Sequence, residues 1–367
     1  MAPGRAANLS SEREAARRAF LSDVGLADAV RESLPGDAST RLYERLYPAA
    51  GGTLILMDQP PSLESRPCPP DATARERAAL GYNALTRLAA GRVDAFVCVA
   101  RWLRSQGLSA PEVIASDAAQ GFAVLEDLGD ALFARLLENG AEEAPLYDGA
   151  TDVLLALHRA APPDVLTADG HAWPLLAYDG VALATYTDLF VEWFPKLVGA
   201  PAFDDDARAG WDALWAPARA LADGGASVFC HRDFHAENLI WLPDRDGAAR
   251  VGLLDFQDAV RAHPAWDLSM LLHDARRDVS PEREEAVLTR YLDARPELDR
   301  ERFIEDFHTL GAINIVRILG LFARLIVRDG KPRYRAFMPG LWRYLDRCLG
   351  REARPWFDRH VPIGARG

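Results

Sequence analysis

The stretch Val228 to Leu272, VFCHRDFHAENLIWLPDRDGAARVGLLDFQDAVRAHPAWDLSMLL, constrains the fold of this chain more than any other. Two apolar runs within it each end in a polar cluster. The first cluster runs from His231 to Asn238, and the second from Asp255 to Asp258 after Val251-Gly252-Leu253-Leu254. Asp233 and Asn238 stand five apart, and Asp255 lies 22 residues after Asp233. Leu239 to Leu242 and Val251 to Leu254 read as short strands around a turn at Pro243 to Gly247. Such a hairpin brings Asn238 and Asp255 to the same end. That arrangement suits a magnesium–nucleotide site, which needs hard oxygen ligands from separate segments and a carboxylate to accept a proton.

The pattern H-x-D-x-x-x-x-N, followed by an apolar strand and D-F, resembles the catalytic signature of the protein-kinase-like phosphotransferases. Within that group the chain looks like the aminoglycoside phosphotransferase branch. It is most similar there to bacterial cell-wall sugar kinases of peptidoglycan recycling, which phosphorylate the anomeric hydroxyl of N-acetylmuramate and N-acetylglucosamine. The segments that carry this closer likeness are LPGDASTRLYERL at 34–46, FCHRDFHAEN at 229–238, LLDFQDA at 253–259 and RYRAFMPGLWRYLDRCL at 333–349.

The resemblance implies an α+β, two-lobed protein-kinase-like fold. Residues 1–126 make a small lobe with an antiparallel sheet, 127–367 make a mainly helical large lobe, and ATP lies between them. It also implies that Asp233 is the catalytic base and that Asn238 and Asp255 hold Mg²⁺ on the phosphates. Ser39, Thr40 and Arg41 fall in the turn that replaces a glycine-rich phosphate loop. Glu126 and Leu128 fall at the hinge whose backbone reads adenine. Asp267 accepts hydrogen bonds from the catalytic-loop backbone. Only 12 residues separate Asp255 from Asp267. That leaves no room for an activation segment, so a protein kinase is disfavoured.

One departure from the pattern matters. The third strand, Gly52 to Met57, carries no phosphate-binding lysine and runs into Asp58-Gln59-Pro60-Pro61. Arg41 or Arg45 are the candidate substitutes, with Glu76 as a possible partner for such a cation. The missing lysine also leaves open a pseudokinase that only binds nucleotide. A phosphotransferase acting on an aminoglycoside or on a small alcohol such as choline or homoserine is the alternative activity.

Composition narrows the partners. At 367 residues the chain can fill two lobes. Its 49% hydrophobic content is that of a globular protein, and its formal charge of −12 argues against nucleic acid. Cys68, Cys98, Cys230 and Cys348 show no metal-ligand spacing and read as reduced thiols. The N-terminus lacks the apolar run of a signal peptide. Arg317 and Arg324 interrupt the most apolar later segment, Leu310 to Val327, which argues against a membrane span. The reading is a cytoplasmic monomer that acts on a small amino sugar and ATP.

The remaining elements follow in order. Residues 1–9 read as frayed, and Ser11-Glu12-Arg13-Glu14 as a capping box opening a helix. Ala72 to Ala90 reads as one helix, 161–175 as a loop, and Pro281 to Leu349 as helical with a break near Gly330. Thr185 to Leu197 is an aromatic-rich helix. Its Tyr186, Trp193 and Phe194 suit either a core or a platform for a pyranose ring. Asn314, Arg317, Arg324 and Arg328 share one face of the helix at 310–328. This basic stripe either attracts a substrate carboxylate or forms a solvated face paired with acids. Trp193 and Arg317 are therefore the substrate candidates.

Overall fold

Side-chain alternation on one strand sets the two faces of the N-terminal sheet. The computed structural model describes residues 3–35, 41–60, 68–89, 91–351 and 353–366, with side chains from residue 11 onward. Helix α1 (Pro3–Asp23) leads into β1 (Val30–Ser33), β2 (Leu42–Tyr47) and β3 (Leu54–Asp58). Helices α2 (Ala74–Leu80), α3 (Tyr82–Leu85) and α4 (Val93–Ser105) follow, then β4 (Val113–Asp117) and β5 (Phe122–Glu126). The five strands form one antiparallel sheet in the order β1-β2-β3-β5-β4. Leu54 and Leu56 face α1, packing with Leu46, Phe122 and Val124 against Phe20 and Leu21. Ile55 and Met57 point the other way into the large core, as the two-residue period requires. Asp58 falls on the α1 face, where it is buried and takes hydrogen bonds from Arg13 and Arg17.

The rest of the chain is mainly helical. Helices α5 (Phe133–Glu138) and α6 (Glu143–Arg159) precede a hairpin of β6 (Val165–Ala168) and β7 (His171–Pro174). Two long helices come next, α7 (Gly180–Val198) and α8 (Asp205–Gly225). Strands β8 (Val228–Cys230), β9 (Leu239–Trp241), β10 (Val251–Leu253) and β11 (Val260–Ala262) pair as β8 with β11 and β9 with β10. Helices α9 (Ala265–Leu272), α10 (Pro281–Asp293), α11 (Arg300–Val327), α12 (Met338–Cys348) and α13 (Arg354–His360) complete the chain.

Helix α11 is the axis of this region and packs most extensively on α7. A Cβ at Gly320 would stand 2.4 Å from the Phe190 backbone nitrogen, so glycine is what lets the two helices approach this closely. By length and composition α11 is apolar enough to cross a membrane, but 72% of its apolar window is buried, as in a core helix. Phe190 stacks on Phe194 and Trp211 at 4.6 and 5.0 Å between ring centres, and Trp342 meets Phe194 edge-on at 5.5 Å. These rings settle the aromatic helix largely as core. Tyr186 and Phe194 are buried, and Trp193 is half-buried with the Lys196 ammonium over its ring at 4.1 Å.

Several sequence expectations need correction. Helix α1 begins at Pro3, ahead of the capping-box serine. Proline fits a first helical turn, and the alanines and leucine that follow favour helix. The helix read across Ala72 to Ala90 breaks at Gly81, whose φ of 103° no helix accommodates. Glu76 is spent in a capping box with Thr73 and does not pair with a cation of the site. Residues 161–175 hold the β6–β7 hairpin. Its turn, Asp169-Gly170, has φ of 50° and 79°, the left-handed pair that an Asp-Gly dipeptide favours. Helix α8, capped by Asp204, was not anticipated, and a second break separates α10 from α11.

Candidate active site

The β9–β10 hairpin builds the site from its open end. The Leu254 amide donates to the Asn238 carbonyl at 2.9 Å, so the two polar clusters leave the hairpin side by side. Asn238 Nδ2 donates to the Asp233 carbonyl at 2.8 Å and faces His235 Nε2 at 3.4 Å. Those bonds use the amide hydrogens, and the Asn238 carboxamide oxygen has no partner among the described residues. The Asp255 side chain is 46% exposed.

Two residues here hold left-handed backbone without being glycine: Arg232 at φ 81° and Asp255 at φ 58°. Each costs about 1–3 kcal/mol and persists only where its surroundings over-determine it. For Arg232 the determinant is Asp267, on α9 and fully buried. Its two carboxylate oxygens accept the His231 amide at 2.7 Å and the Arg232 amide at 2.8 Å. The side chain of Arg232 then turns inward and donates to the Thr86 and Arg87 carbonyls and to the Tyr186 hydroxyl. Asp267 thus stands where the sequence placed it, as a brace for the loop. Burial pushes its carboxyl up to about 7 despite these bonds, and pulls the His231 imidazole down to about 4.

Each site carboxylate faces one arginine. Arg41, at the start of β2, reaches across to Asp255 Oδ1 at 3.1 Å and donates to Gln257 Oε1 at 2.9 Å. Gln257 Nε2 in turn donates to Asp255 Oδ1 at 3.0 Å and Asp258 Oδ2 at 3.2 Å. Crowding by protein atoms opposes the Asp255 charge, but Arg41 and Gln257 outweigh it and hold the group below the usual carboxylate range. Arg45 is engaged elsewhere, with Asp127 at 2.7 Å and Asp130 at 2.7 Å, tying β2 to the segment after β5. Of the two substitute cations, then, only Arg41 meets the site. Beside it a narrow cleft is lined by Arg41, Met57, Gln59, Arg92, Phe96 and Gln257 among others.

On the opposite side, Arg317 Nη2 of α11 lies 3.9 Å from Asp233 Oδ1. Its guanidinium sits between the rings of Tyr186 and Trp266, at 5.3 and 5.7 Å, and its Nε donates to Asn314 Oδ1 at 3.0 Å. The basic stripe therefore divides. Asn314 and Arg317 are buried beside Asp233, and Arg328 pairs with Asp329 at the surface. Trp193 makes none of these contacts.

At the hinge, the Glu126 carboxylate pairs with Arg245 and with Arg104 at 3.2 Å, and accepts the Glu112 amide at 3.1 Å. Leu128 is 9% exposed and packs over Gly252 of β10, and its amide has no acceptor among the described residues. Ser39 and Thr40 lie outside the described residues.

The donors at the hairpin end suit a magnesium ion. One carboxylate and one carboxamide leave the same end of the hairpin, oxygen donors of the kind magnesium takes, and the Asp255 carboxylate already faces a cation, the Arg41 guanidinium. Sequence reasoning missed the work of Gln257, which stands where the D-F-G signature has glycine. That replacement was the available signal. It also missed the Arg232–Tyr186 bond, because nothing in a linear pattern relates residues 46 apart.

Comparison with known proteins agrees with this geometry. A family model described as "Phosphotransferase enzyme family" matches residues 30–304. An N-acetylmuramate/N-acetylglucosamine kinase from Caulobacter vibrioides is 66% identical over 362 residues, covering 98% of this chain and 99% of that protein. A protein of the same name from Pseudomonas aeruginosa is 28% identical over 323 residues, 86% of this chain and 82% of that one. Among solved structures, a choline/ethanolamine kinase family protein from Mesorhizobium loti matches with a TM-score of 0.53 at 17% identity, covering 96% and 97% of the two chains. That last likeness speaks for the two-part kinase-like fold alone. With a family match across most of its length and a near-full-length relative at 66% identity, this chain belongs to the phosphotransferase enzyme family.

Proposed function

We propose that this enzyme transfers the γ-phosphoryl group of ATP to the anomeric hydroxyl of N-acetylmuramate and N-acetylglucosamine, in the recycling of cell-wall sugars. The observation that carries the reading is the 66% identity, over 98% of the chain, to a relative named for those two sugars. The clustering of Asp233, Asn238 and Asp255 at one hairpin end supports it. In this reading residues 1–126 and 127–367 are two lobes with the nucleotide between them, in a cytoplasmic enzyme.

Asp233 orients the acceptor hydroxyl and accepts its proton as the oxygen attacks the γ-phosphorus. The bond from that phosphorus to the β–γ bridging oxygen breaks, and ADP departs. A hemiacetal hydroxyl is more acidic than an ordinary alcohol, so a carboxylate is base enough. Asn238 and Asp255 are the residues to hold Mg²⁺, which when bound neutralises charge on the β- and γ-phosphates. Arg41 takes the place of the missing strand-three lysine, turning from Asp255 toward phosphate oxygens. The Leu128 amide and the Glu126 carbonyl face the adenine edge.

An ATP-coupled assay over free amino sugars, their methyl glycosides, aminoglycosides and choline tests this reading. Turnover with N-acetylmuramate and N-acetylglucosamine, and none with the C1-blocked methyl glycoside, is the expected result. Equal phosphorylation of the glycoside would move the reaction to another hydroxyl. Turnover with only aminoglycoside or choline would replace the sugar assignment.

A further inference from the structure

Two arginines on α11 share a face two turns apart, Arg317 and Arg324. Seven residues at 1.5 Å each put them about 10 Å apart along the axis, rotated by only about 20°. Arg317 is engaged by Asp233, Asn314 and two aromatic rings. Arg324 differs: among the described residues no carboxylate is paired with it at ion-pair distance, and its acidic neighbour Asp329 is paired with Arg328 and acts on it only at longer range. Its guanidinium lies 5.4 Å from the centre of the Tyr82 ring, and Tyr82 meets Tyr186 edge-on at 5.9 Å. Arg324 Nε and the Tyr82 hydroxyl are both buried atoms with no partner at good hydrogen-bonding geometry, and the Arg324 guanidinium is a cation that acts on the Tyr82 hydroxyl. Buried donors are normally satisfied, so a half-buried arginine leaning on a tyrosine, its Nε without an acceptor, leaves a place that an anion would complete. The line from Asp233 past Arg317 and Tyr186 to Tyr82 and Arg324 is continuous.

We infer that Arg324 and Tyr82 form a carboxylate subsite, placed so that a sugar with its reacting hydroxyl at Asp233 presents an acidic substituent to them. Resting on the sugar-kinase reading above, this assigns the recognition of the lactyl carboxylate, the group by which N-acetylmuramate differs from N-acetylglucosamine. The separation of the two arginines is comparable with a pyranose ring plus its ether arm. The geometry also moves this role off Arg317. That residue is held at the reacting end and serves both sugars by positioning Asp233. An acceptor without the carboxylate leaves Arg324 to water.

Steady-state kinetics with both sugars test the subsite. Losing a charge-assisted hydrogen bond to the ligand is worth roughly 10–100-fold in affinity. Arg324→Gln is expected to raise KM for N-acetylmuramate by that factor, with kcat held within about threefold. KM for N-acetylglucosamine should change less than about twofold, the size of a surface effect. Arg324→Lys should recover part of the loss, and Tyr82→Phe should show a smaller loss in the same direction. Arg317→Lys should instead lower kcat for both sugars. Equal KM changes for the two sugars in Arg324→Gln, or none for N-acetylmuramate, overturns the subsite while leaving the sugar kinase intact. Failure of the wild-type enzyme to phosphorylate either sugar overturns the parent reading. Thermal melting of each variant separates misfolding from lost recognition, and a folded Arg324→Lys with no recovery also counts against the subsite.

Discussion

The Asp255 side and the Asp233 side of the site are built on the same plan, one carboxylate facing one arginine, but with opposite exposure. Arg41 approaches Asp255 from the N-terminal sheet, so their contact joins that sheet to the β9–β10 hairpin and ends on a carboxylate that is 46% exposed. Arg317 approaches Asp233 from the central helix, 6% exposed and flanked by Tyr186 and Trp266. The Arg41 contact must loosen whenever a metal or a phosphate arrives at Asp255. The Arg317 guanidinium is instead held by Asn314 and flanked by two aromatic rings, so it keeps its place whatever reaches Asp233. Charge on one side is held in readiness, and geometry on the other is set during folding.

The comparison breaks most visibly at Asp233. Asp233→Asn removes the proton acceptor and should lower kcat by about 10²–10⁴-fold. Nucleotide affinity should stay near wild type, because Asp233 serves the acceptor side only. Wild-type-like turnover would remove Asp233 from the role of base. Asp255→Ala cuts the other side. It should abolish Mg²⁺-dependent ATP binding in calorimetry, with sugar binding retained, and unchanged Mg–ATP affinity would exclude Asp255 as a ligand.

Arg41 sharpens the contrast. If it exchanges Asp255 for phosphate, Arg41→Met should raise KM for ATP about 10–100-fold and leave the acceptor KM alone, since charge-assisted bonds to one partner are lost. Arg41→Lys keeps the charge and should fall between the two. An Arg41→Met enzyme with unchanged ATP kinetics would mean the phosphates find their cation elsewhere.

What the sequence made legible divides along the same line. Asp233, Asn238 and Asp255, which the structure brings together, and the brace Asp267 lie within 35 residues of one another, from Asp233 to Asp267. Local strand patterning placed the hairpin, and the family resemblance of the motif pointed to these four residues. Arg41 and Arg45 lie four apart, and only the register of β2 decides which one reaches Asp255 and which one Asp127. No periodicity encodes that choice. The stripe on α11 was readable as a stripe, but the burial of Arg317 and the solvation of Arg328 follow from how closely Gly320 lets α11 approach α7. The β6–β7 hairpin was within reach, since Asp169-Gly170 announces it. Helix α8 was passed over although Asp204 and two core tryptophans, Trp211 and Trp215, mark it.

The smallest expected effect concerns the buried titratable groups beneath the loop that carries Asp233. Beneath the catalytic loop, donor atoms of His158, Cys230 and Asp267 lie within 4.8 Å of one another, all buried. His158 Nδ1 is bonded to the Tyr291 hydroxyl at 2.7 Å, and burial pulls its pKa down to about 3. Its folded pKa lies below the unfolded value, so its contribution is complete above pH 6.5 and is lost as pH falls toward the folded value. Asp267 runs the other way. Raised to about 7, it adds stability at low pH that is lost as pH rises from 3.8 through 7. The two slopes oppose each other in the wild-type protein. Removing one should expose the other. Between pH 7.5 and pH 5, His158→Gln should gain about 2 kcal/mol relative to wild type, and Asp267→Asn should lose a comparable amount, at about 1.4 kcal/mol per pH unit of titration. Urea denaturation at the two pH values measures both. Because His158 touches neither substrate, its variant should keep the wild-type kcat at pH 7.5. If both variants follow the wild-type pH profile, neither His158 nor Asp267 titrates with the shift that its burial implies.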